Sequence, residues 1–118
     1  MKLPGPDHPI TILPHPGRVR VIVNGTVVAE TQAALSLQEG GYLPVLYIPR
    51  ADVRGAVRRS ARHSHCPYKG EASYFDLVTD GDERAEAAWS YEDPFPAVAA
   101  IRGHLAFYPG RVDAIEQG

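Results

Sequence analysis

Residues 18–31 read RVRVIVNGTVVAET, and this stretch indicates the fold class. Val19, Val21 and Val23 occupy alternate positions, which is the period-2 pattern of a strand with one buried face. The dipeptide Asn24-Gly25 follows directly and is the strongest short signal for a tight hairpin turn. The residues after it are again rich in β-branched side chains. The stretch therefore predicts an antiparallel hairpin.

Outside the hairpin the chain is divided into short apolar runs by regularly spaced turn residues. Its 118 residues include 11 glycines and 11 prolines, and breakers spaced in this way predict roughly eight to ten short strands. Further strands are predicted at residues 10–12, 33–38, 44–49, 56–63, 73–78, 86–91, 104–108 and 112–116. One short helix is predicted at 96–102, with proline in its first turn and glycine at its exit. We expect an all-β single domain over residues 1–118, built as a sandwich or a partly closed barrel-like sheet.

Composition limits the function classes. The net charge is −2 and the pI about 6.2, which argues against general binding to nucleic acid or anionic membranes. No apolar run approaches the roughly 20 residues of a membrane helix. Cys66, the one cysteine, cannot form an internal disulfide and suits a reducing compartment. We therefore expect a cytoplasmic protein with no nucleic-acid or membrane partner.

Residues 65–73 read HCPYKGEAS and concentrate reactive side chains. Cys66 is a candidate nucleophile and His65 a candidate base, but neighbours on a strand point to opposite faces. The alternative is a small buried side chain beside a proline turn. His63 and His65 would share a strand face, where they could hold a metal or simply be hydrogen-bonded. Lys69 could meet a phosphate, or lie exposed in a turn.

Arginines are the second candidate group. Together with Lys69, they form an anion site if the strands converge, because the planar guanidinium binds phosphate with two parallel hydrogen bonds. If the strands do not converge, they form a solvated surface. The arginines concerned are Arg18, Arg20, Arg50, Arg54, Arg58, Arg59 and Arg62.

Residues 88–96 read AWSYEDPFP and form the third group. Trp89 and Tyr91 would share a strand face and could line a small-molecule pocket, although aromatic residues at this spacing are also typical of a core. Glu92 and Asp93 could hold Mg²⁺, act as a base, or cap the following helix.

The motifs PGPDHPITI, GRVRV, YIPRADV, HCPYKGEASY, AWSYEDPFP and GHLAFYP together resemble a bacterial family known as domain of unknown function 427. The resemblance covers about residues 4–112. It implies a β-tent-like domain, in which two small antiparallel sheets meet at an angle, and it carries a nucleotidyltransferase-like label. Other β-tent proteins often hold a structural zinc with four cysteines, which one cysteine cannot provide, so we expect no zinc. The family's motif positions in this sequence are Arg18, Arg20, Tyr47, Ile48, Pro49, Arg50, His65, Cys66, Pro67, Tyr68, Lys69, Gly70, Trp89, Tyr91, Asp93, Pro94, Gly103, His104 and Phe107.

The sequence leads to two alternative hypotheses about function, from different classes, and to a third alternative. The first is a small-molecule binding module with an aromatic and basic pocket formed by Arg20, Tyr47, Arg50, His65, Tyr68, Lys69, Trp89 and Tyr91. The second is a nucleotidyltransferase-like or other phosphate-handling enzyme, with Mg²⁺ on Glu92 and Asp93. The catalytic candidates are His65, Cys66, Lys69 and Asp93. The third is a structural or protein-interaction domain.

Overall fold

Antiparallel strands make up most of the chain. A computed structural model describes all 118 residues. The strands are β1 (Ile10–Pro14), β2 (Val19–Val23), β3 (Thr26–Thr31), β4 (Leu35–Glu39), β5 (Val45–Tyr47), β6 (Ala56–Cys66), β7 (Gly70–Thr79), β8 (Asp82–Ser90), β9 (Ala106–Phe107) and β10 (Ala114–Gln117). Three short 3₁₀ helices lie at Arg50–Asp52, Pro96–Ile101 and Pro109–Arg111. The predicted mainly-β fold is confirmed. The helix predicted at 96–102 is present as the 3₁₀ segment Pro96–Ile101, and two further 3₁₀ segments accompany it.

The strands form three antiparallel sheets, with the orders β1-β4-β5, β10-β2-β3 and β6-β7-β8-β9. Ile48 and Leu105 exchange two backbone hydrogen bonds of 2.7 and 2.8 Å, which join the first sheet to the third. The sheets do not close, so the expectation of a partly closed barrel is wrong. The resemblance implies two sheets, whereas the structure has three, and the first of them ends in β5, a strand of three residues. No helix of this chain combines the length and apolar character that crossing a bilayer requires.

The predicted hairpin is present as β2 and β3. Asn24 and Gly25 both adopt positive φ, 52° and 72°, as a type I′ turn requires. Val19, Val21 and Val23 are fully buried. The hairpin thus contributes its valine face to the core.

Strand β7 is buried on both faces and separates two apolar clusters. Ala72 and Tyr74 point into a smaller cluster, and Phe75 and Leu77 point into a larger one. The smaller cluster contains Leu37, Tyr47, Ala72, Tyr74, Tyr91, Val98, Ile101 and Ala106. Successive side chains of a strand point to opposite faces, so β7 contributes side chains to both clusters. This requires that other elements cover each of its faces.

The β6–β7 hairpin is longer than predicted. Strand β6 runs to Cys66, which pairs with Gly70 at the start of β7, so residues 67–69 form the connecting turn. Most side chains of β6 are exposed, and this strand therefore lacks the alternating apolar pattern from which strands are recognised. The HCPYKG motif is thus a strand end, a turn and a strand start.

The first test concerns the hairpin turn. Asn24→Ala should lower the free energy of unfolding by about 1–2 kcal/mol, because alanine tolerates positive φ poorly. Asn24→Gly should cost less, because glycine adopts that φ without strain. Urea unfolding of both variants measures the difference. An equal loss would show that the Asn24 side-chain amide, rather than the backbone conformation, matters.

Candidate functional site

The connecting turn of the β6–β7 hairpin carries Lys69, which is buried with 8% of its surface exposed. Its ammonium forms an ion pair with the Oε1 atom of Glu39, the last residue of β4. Phe95 donates its backbone N–H to the Lys69 carbonyl at 2.9 Å. Gly70 follows with a φ of 107°, which glycine adopts freely. The turn is therefore fixed against the first sheet by a side-chain ion pair.

Glu39 also forms a hydrogen bond with a second side chain, that of His8. Its Oε2 atom lies 2.7 Å from Nε2 of His8, and the His8 ring stacks on Tyr68 with centroids 3.8 Å apart. Burial alone would raise the pKa of Glu39, but the hydrogen bonds and charges of Lys69 and His8 outweigh it and hold the pKa below its usual value. The carboxylate is therefore ionised at neutral pH, with both oxygens in use.

An open groove of about 370 Å³ lies above this ion pair. Its lining residues are Leu37, Glu39, Tyr42, Leu43, Val45, Tyr47, Lys69, Trp89, Tyr91 and Tyr108. We call it the aromatic groove. The Lys69 ammonium lies 5.7 Å from the centre of the Tyr91 ring. The groove therefore combines a mainly apolar lining with one ion pair.

Aromatic side chains form an ordered wall of the groove. The indole N–H of Trp89 donates to the Tyr47 hydroxyl at 3.4 Å, and the Trp89 and Tyr108 rings are 4.4 Å apart. Burial raises the pKa of Tyr47 and of Tyr91, and raises that of Tyr108 to about 12. These phenols therefore remain uncharged hydroxyls at neutral pH.

Two large side chains at the mouth of the groove are open to water. Tyr42 is 72% and Leu43 87% exposed. The Gln38 amide donates to the Gly40 carbonyl at 3.0 Å, which fixes the start of their loop. Both side chains therefore add apolar surface at the edge of the groove.

The structure brings together four of the predicted ligand-binding residues: Tyr47, Lys69, Trp89 and Tyr91. Tyr68 lies next to this group, stacked on His8. The other three do not line the aromatic groove. Arg20 pairs with Glu116 at 2.7 Å, the Arg50 guanidinium lies 5.1 Å from the centre of the Phe75 ring, and His65 lies edge-on to Phe95.

The remaining arginines do not converge into one anion site. Each contacts its own carboxylate, or shares one, in a separate ion pair at the surface. The pairs are Arg18–Glu30, Arg54–Glu30, Arg58–Asp76, Arg59–Glu92 and Arg62–Glu86. Arginines that are close in the sequence therefore pair with different carboxylates and do not form one cationic surface.

The carboxylates proposed for Mg²⁺ do not fit the ion. Glu92 lies 2.6 Å from the Arg59 guanidinium, and Asp93, whose side chain is 90% exposed, lies 3.1 Å from Arg102. No three His, Cys, Asp or Glu side chains form a group that could hold a metal. Since each acid has its own arginine, the pair does not form the shared oxygen site that Mg²⁺ needs.

Of the four catalytic candidates, His65 and Asp93 line one polar groove, whereas Cys66 and Lys69 lie elsewhere. Cys66 is half-buried against the smaller apolar cluster. His65 instead lines a polar groove of about 390 Å³ with His63, Glu71 and Asp93 among its residues. The adjacent thiol and imidazole thus lie in different environments.

A third groove, of about 440 Å³, runs between β5, β9 and β10 and is mostly apolar. The one charged residue in its lining is Asp113, which accepts hydrogen bonds from the Asn24 backbone N–H and from Arg84. Trp89 lies between this groove and the aromatic groove and lines both. Because the Asp113 carboxylate already binds Asn24 and Arg84, the apolar groove has no other charged group that could orient a ligand.

Sequence reasoning missed Glu39 and His8 as members of the site. Glu39 stands 30 positions before Lys69 and 31 after His8, so no local motif joins them. Gly40-Gly41 after Glu39 indicates only the end of a strand.

The geometry defines a class: a small antiparallel β protein with an aromatic groove above a lysine–glutamate ion pair. The chain belongs to the family described as Domain of unknown function (DUF427), labelled NTP_transf_9, which it matches over residues 11–118. The resemblance inferred from the motifs is thereby confirmed. No curated protein matches the chain.

The lowered pKa of Glu39 predicts a pH dependence of stability. A carboxyl whose pKa is lower in the folded state stabilises the protein at pH above its unfolded pKa, and this contribution is lost as the pH falls through the folded value. Between about pH 6 and pH 3 the free energy of unfolding should therefore fall less steeply in Glu39→Gln than in the wild type. Urea unfolding across this range measures both slopes. Equal slopes would mean that Glu39 is not stabilised as an anion.

Proposed function

We propose that the protein is a small-molecule binding module whose ligand lies in the aromatic groove. The observation that carries this proposal is that Lys69, a buried lysine, lines the same groove as Tyr47, Trp89 and Tyr91. Known ligand sites are concave and mainly apolar, with a small number of polar groups that orient the ligand. The groove volume of about 370 Å³ is at the lower end for such sites. With its single unpaired thiol, the protein would act in the reducing cytoplasm.

Each group in the groove has a role in this proposal. Trp89 and Tyr108 offer ring faces for stacking. Lys69 donates to an acceptor on the ligand. Tyr42 and Leu43, at the mouth, would lose exposed apolar surface when a ligand binds. None of these roles requires a chemical step.

The family label suggests a second candidate, nucleotidyl transfer. Such chemistry generally needs cations that clamp phosphates, and carboxylates that hold Mg²⁺. The separate arginine pairs and the poor fit of Glu92 and Asp93 to Mg²⁺ speak against it. We therefore rank it below ligand binding.

The test uses Trp89 as a reporter, because it is the one tryptophan in the chain and gives one indole N–H resonance. ¹⁵N-labelled protein is titrated with neutral heterocycles, sugar phosphates, and nucleoside triphosphates with and without Mg²⁺. We expect neutral heterocycles to shift this resonance. We also expect Lys69→Gln, once shown to be folded, to weaken their binding about tenfold, as the loss of one hydrogen bond to a charged group would.

Arg102→Gln is the matched control, since it removes one positive charge from an exposed pair with Asp93 and should leave the affinity unchanged. A shift that requires both triphosphate and Mg²⁺ would favour the transferase. No shift with any compound would contradict ligand binding and leave a protein-interaction role.

A further inference from the structure

We infer that the ligand is an uncharged planar ring compound bearing a carbonyl acceptor, held with that oxygen against Lys69. This inference rests on the proposed function, because it names the chemical class that the aromatic groove selects. It follows from the charges that the protein already places there: one ammonium, one carboxylate and uncharged phenols.

The ammonium of Lys69 is only partly used by the protein. A lysine has three N–H donors and no acceptor, and the hydrogen-bond partner of Nζ is Glu39. The centre of the Tyr91 ring lies 5.7 Å from the Lys69 ammonium. At least one N–H donor therefore remains for a ligand atom, and that atom must be an acceptor.

An anionic ligand would meet the charge of Glu39. The carboxylate lies against the same ammonium, with side-chain exposures of 16% for Glu39 and 11% for Lys69. A ligand anion against Lys69 would be attracted by the ammonium and repelled by Glu39, so that these two Coulomb energies largely offset each other and the cost of removing the anion from water remains. A carboxylate or phosphate on the ligand would have to accept this cost or displace Glu39 from both Lys69 and His8.

A cationic ligand meets the opposite difficulty. Several aromatic rings and a carboxylate are the groups that usually bind quaternary or methylated ammonium ions. Here Lys69 already pairs with that carboxylate and lies near the Tyr91 ring. The protein's own cation therefore occupies the position that a ligand cation would need.

A neutral carbonyl avoids both costs. It accepts a charge-assisted hydrogen bond from Lys69, which is stronger than a bond between neutral groups, and it leaves the ion pair intact. The attached ring can stack on the indole or phenol faces. An amide on an aromatic ring is the simplest compound that combines these features.

Benzamide, benzoate and benzamidinium test the inference, because they have nearly the same shape and differ in charge. Each is titrated into ¹⁵N-labelled wild-type protein at neutral pH, with the Trp89 indole resonance as the readout. Benzamide should bind at least about tenfold more tightly than either ion, as expected if an ion costs about 1.4 kcal/mol more to remove from water.

Glu39→Gln sharpens the test by removing the competing carboxylate. Benzoate should then bind more tightly than benzamide, reversing the wild-type order. Glu116→Gln is the matched control, since it removes one negative charge from the exposed pair with Arg20 and should keep the wild-type order. The wild-type ranking stands as a test even if Glu39→Gln fails to fold.

The outcomes separate the two proposals. If none of the three compounds moves the Trp89 resonance, ligand binding in the groove is itself contradicted. If they bind but benzoate or benzamidinium equals benzamide in the wild type, the charge argument is overturned while the groove remains a ligand site. Pro109 lines the apolar groove and not the aromatic groove. If the titration responds to Pro109→Ala but not to Lys69→Gln, the compounds occupy the apolar groove and the inference is wrong.

Discussion

The ion pair between Lys69 and Glu39 is the interaction on which the site depends. It joins the β6–β7 turn to the end of β4, and so fixes two sheets relative to each other beneath the aromatic groove. Burying two charges costs several kcal/mol per ion unless further hydrogen bonds compensate. His8 provides one of these at the second carboxylate oxygen. The ionised form of Glu39 stabilises the folded state relative to the protonated form. Because such a pair rarely adds net stability over apolar residues of the same size, we interpret its main role as positioning Lys69.

Strand β7 explains how so short a chain can build this arrangement. Its two buried faces anchor the larger and the smaller apolar clusters, so the Lys69 turn at its start cannot move independently of either. On one side, β8 brings Trp89 opposite Tyr74. On the other side, β6 remains largely exposed and carries arginines that pair across the surface. Packing thus holds the aromatic wall in place, while β6 contributes exposed ion pairs of the kind that add little stability.

Much of the fold could be predicted from local patterns. The valine alternation and Asn24-Gly25 identified the β2–β3 hairpin, because both signals lie within one short stretch. The sequence predicts a strand at 56–63, but β6 continues to Cys66. Its exposed arginines and histidines do not show the alternation of apolar residues from which a strand is recognised. The sheet number depended on pairings distant in sequence, such as the bridge between Ile48 and Leu105.

For the site, local reasoning found the aromatic residues and Lys69 but not what they contact. The motifs predict Tyr47, Trp89 and Tyr91 as ligand-binding residues, and the structure places them in one groove. Glu39 could not be identified, because a glutamate before two glycines resembles any strand end. Because Glu39 pairs with Lys69, the charge of the ammonium is balanced within the protein, and its remaining N–H groups act as hydrogen-bond donors. The anion site predicted from the arginines is not formed. These arginines are close in the sequence, but they pair with different carboxylates in the structure.

The most direct test of this account is a crystal structure of the protein with benzamide. We predict that the ring lies in the aromatic groove beside Trp89, with the carbonyl oxygen within hydrogen-bond distance of the Lys69 ammonium and the pair with Glu39 intact. Benzamide in the apolar groove along β10, or a Lys69 that has left Glu39 to bind it, would contradict the account.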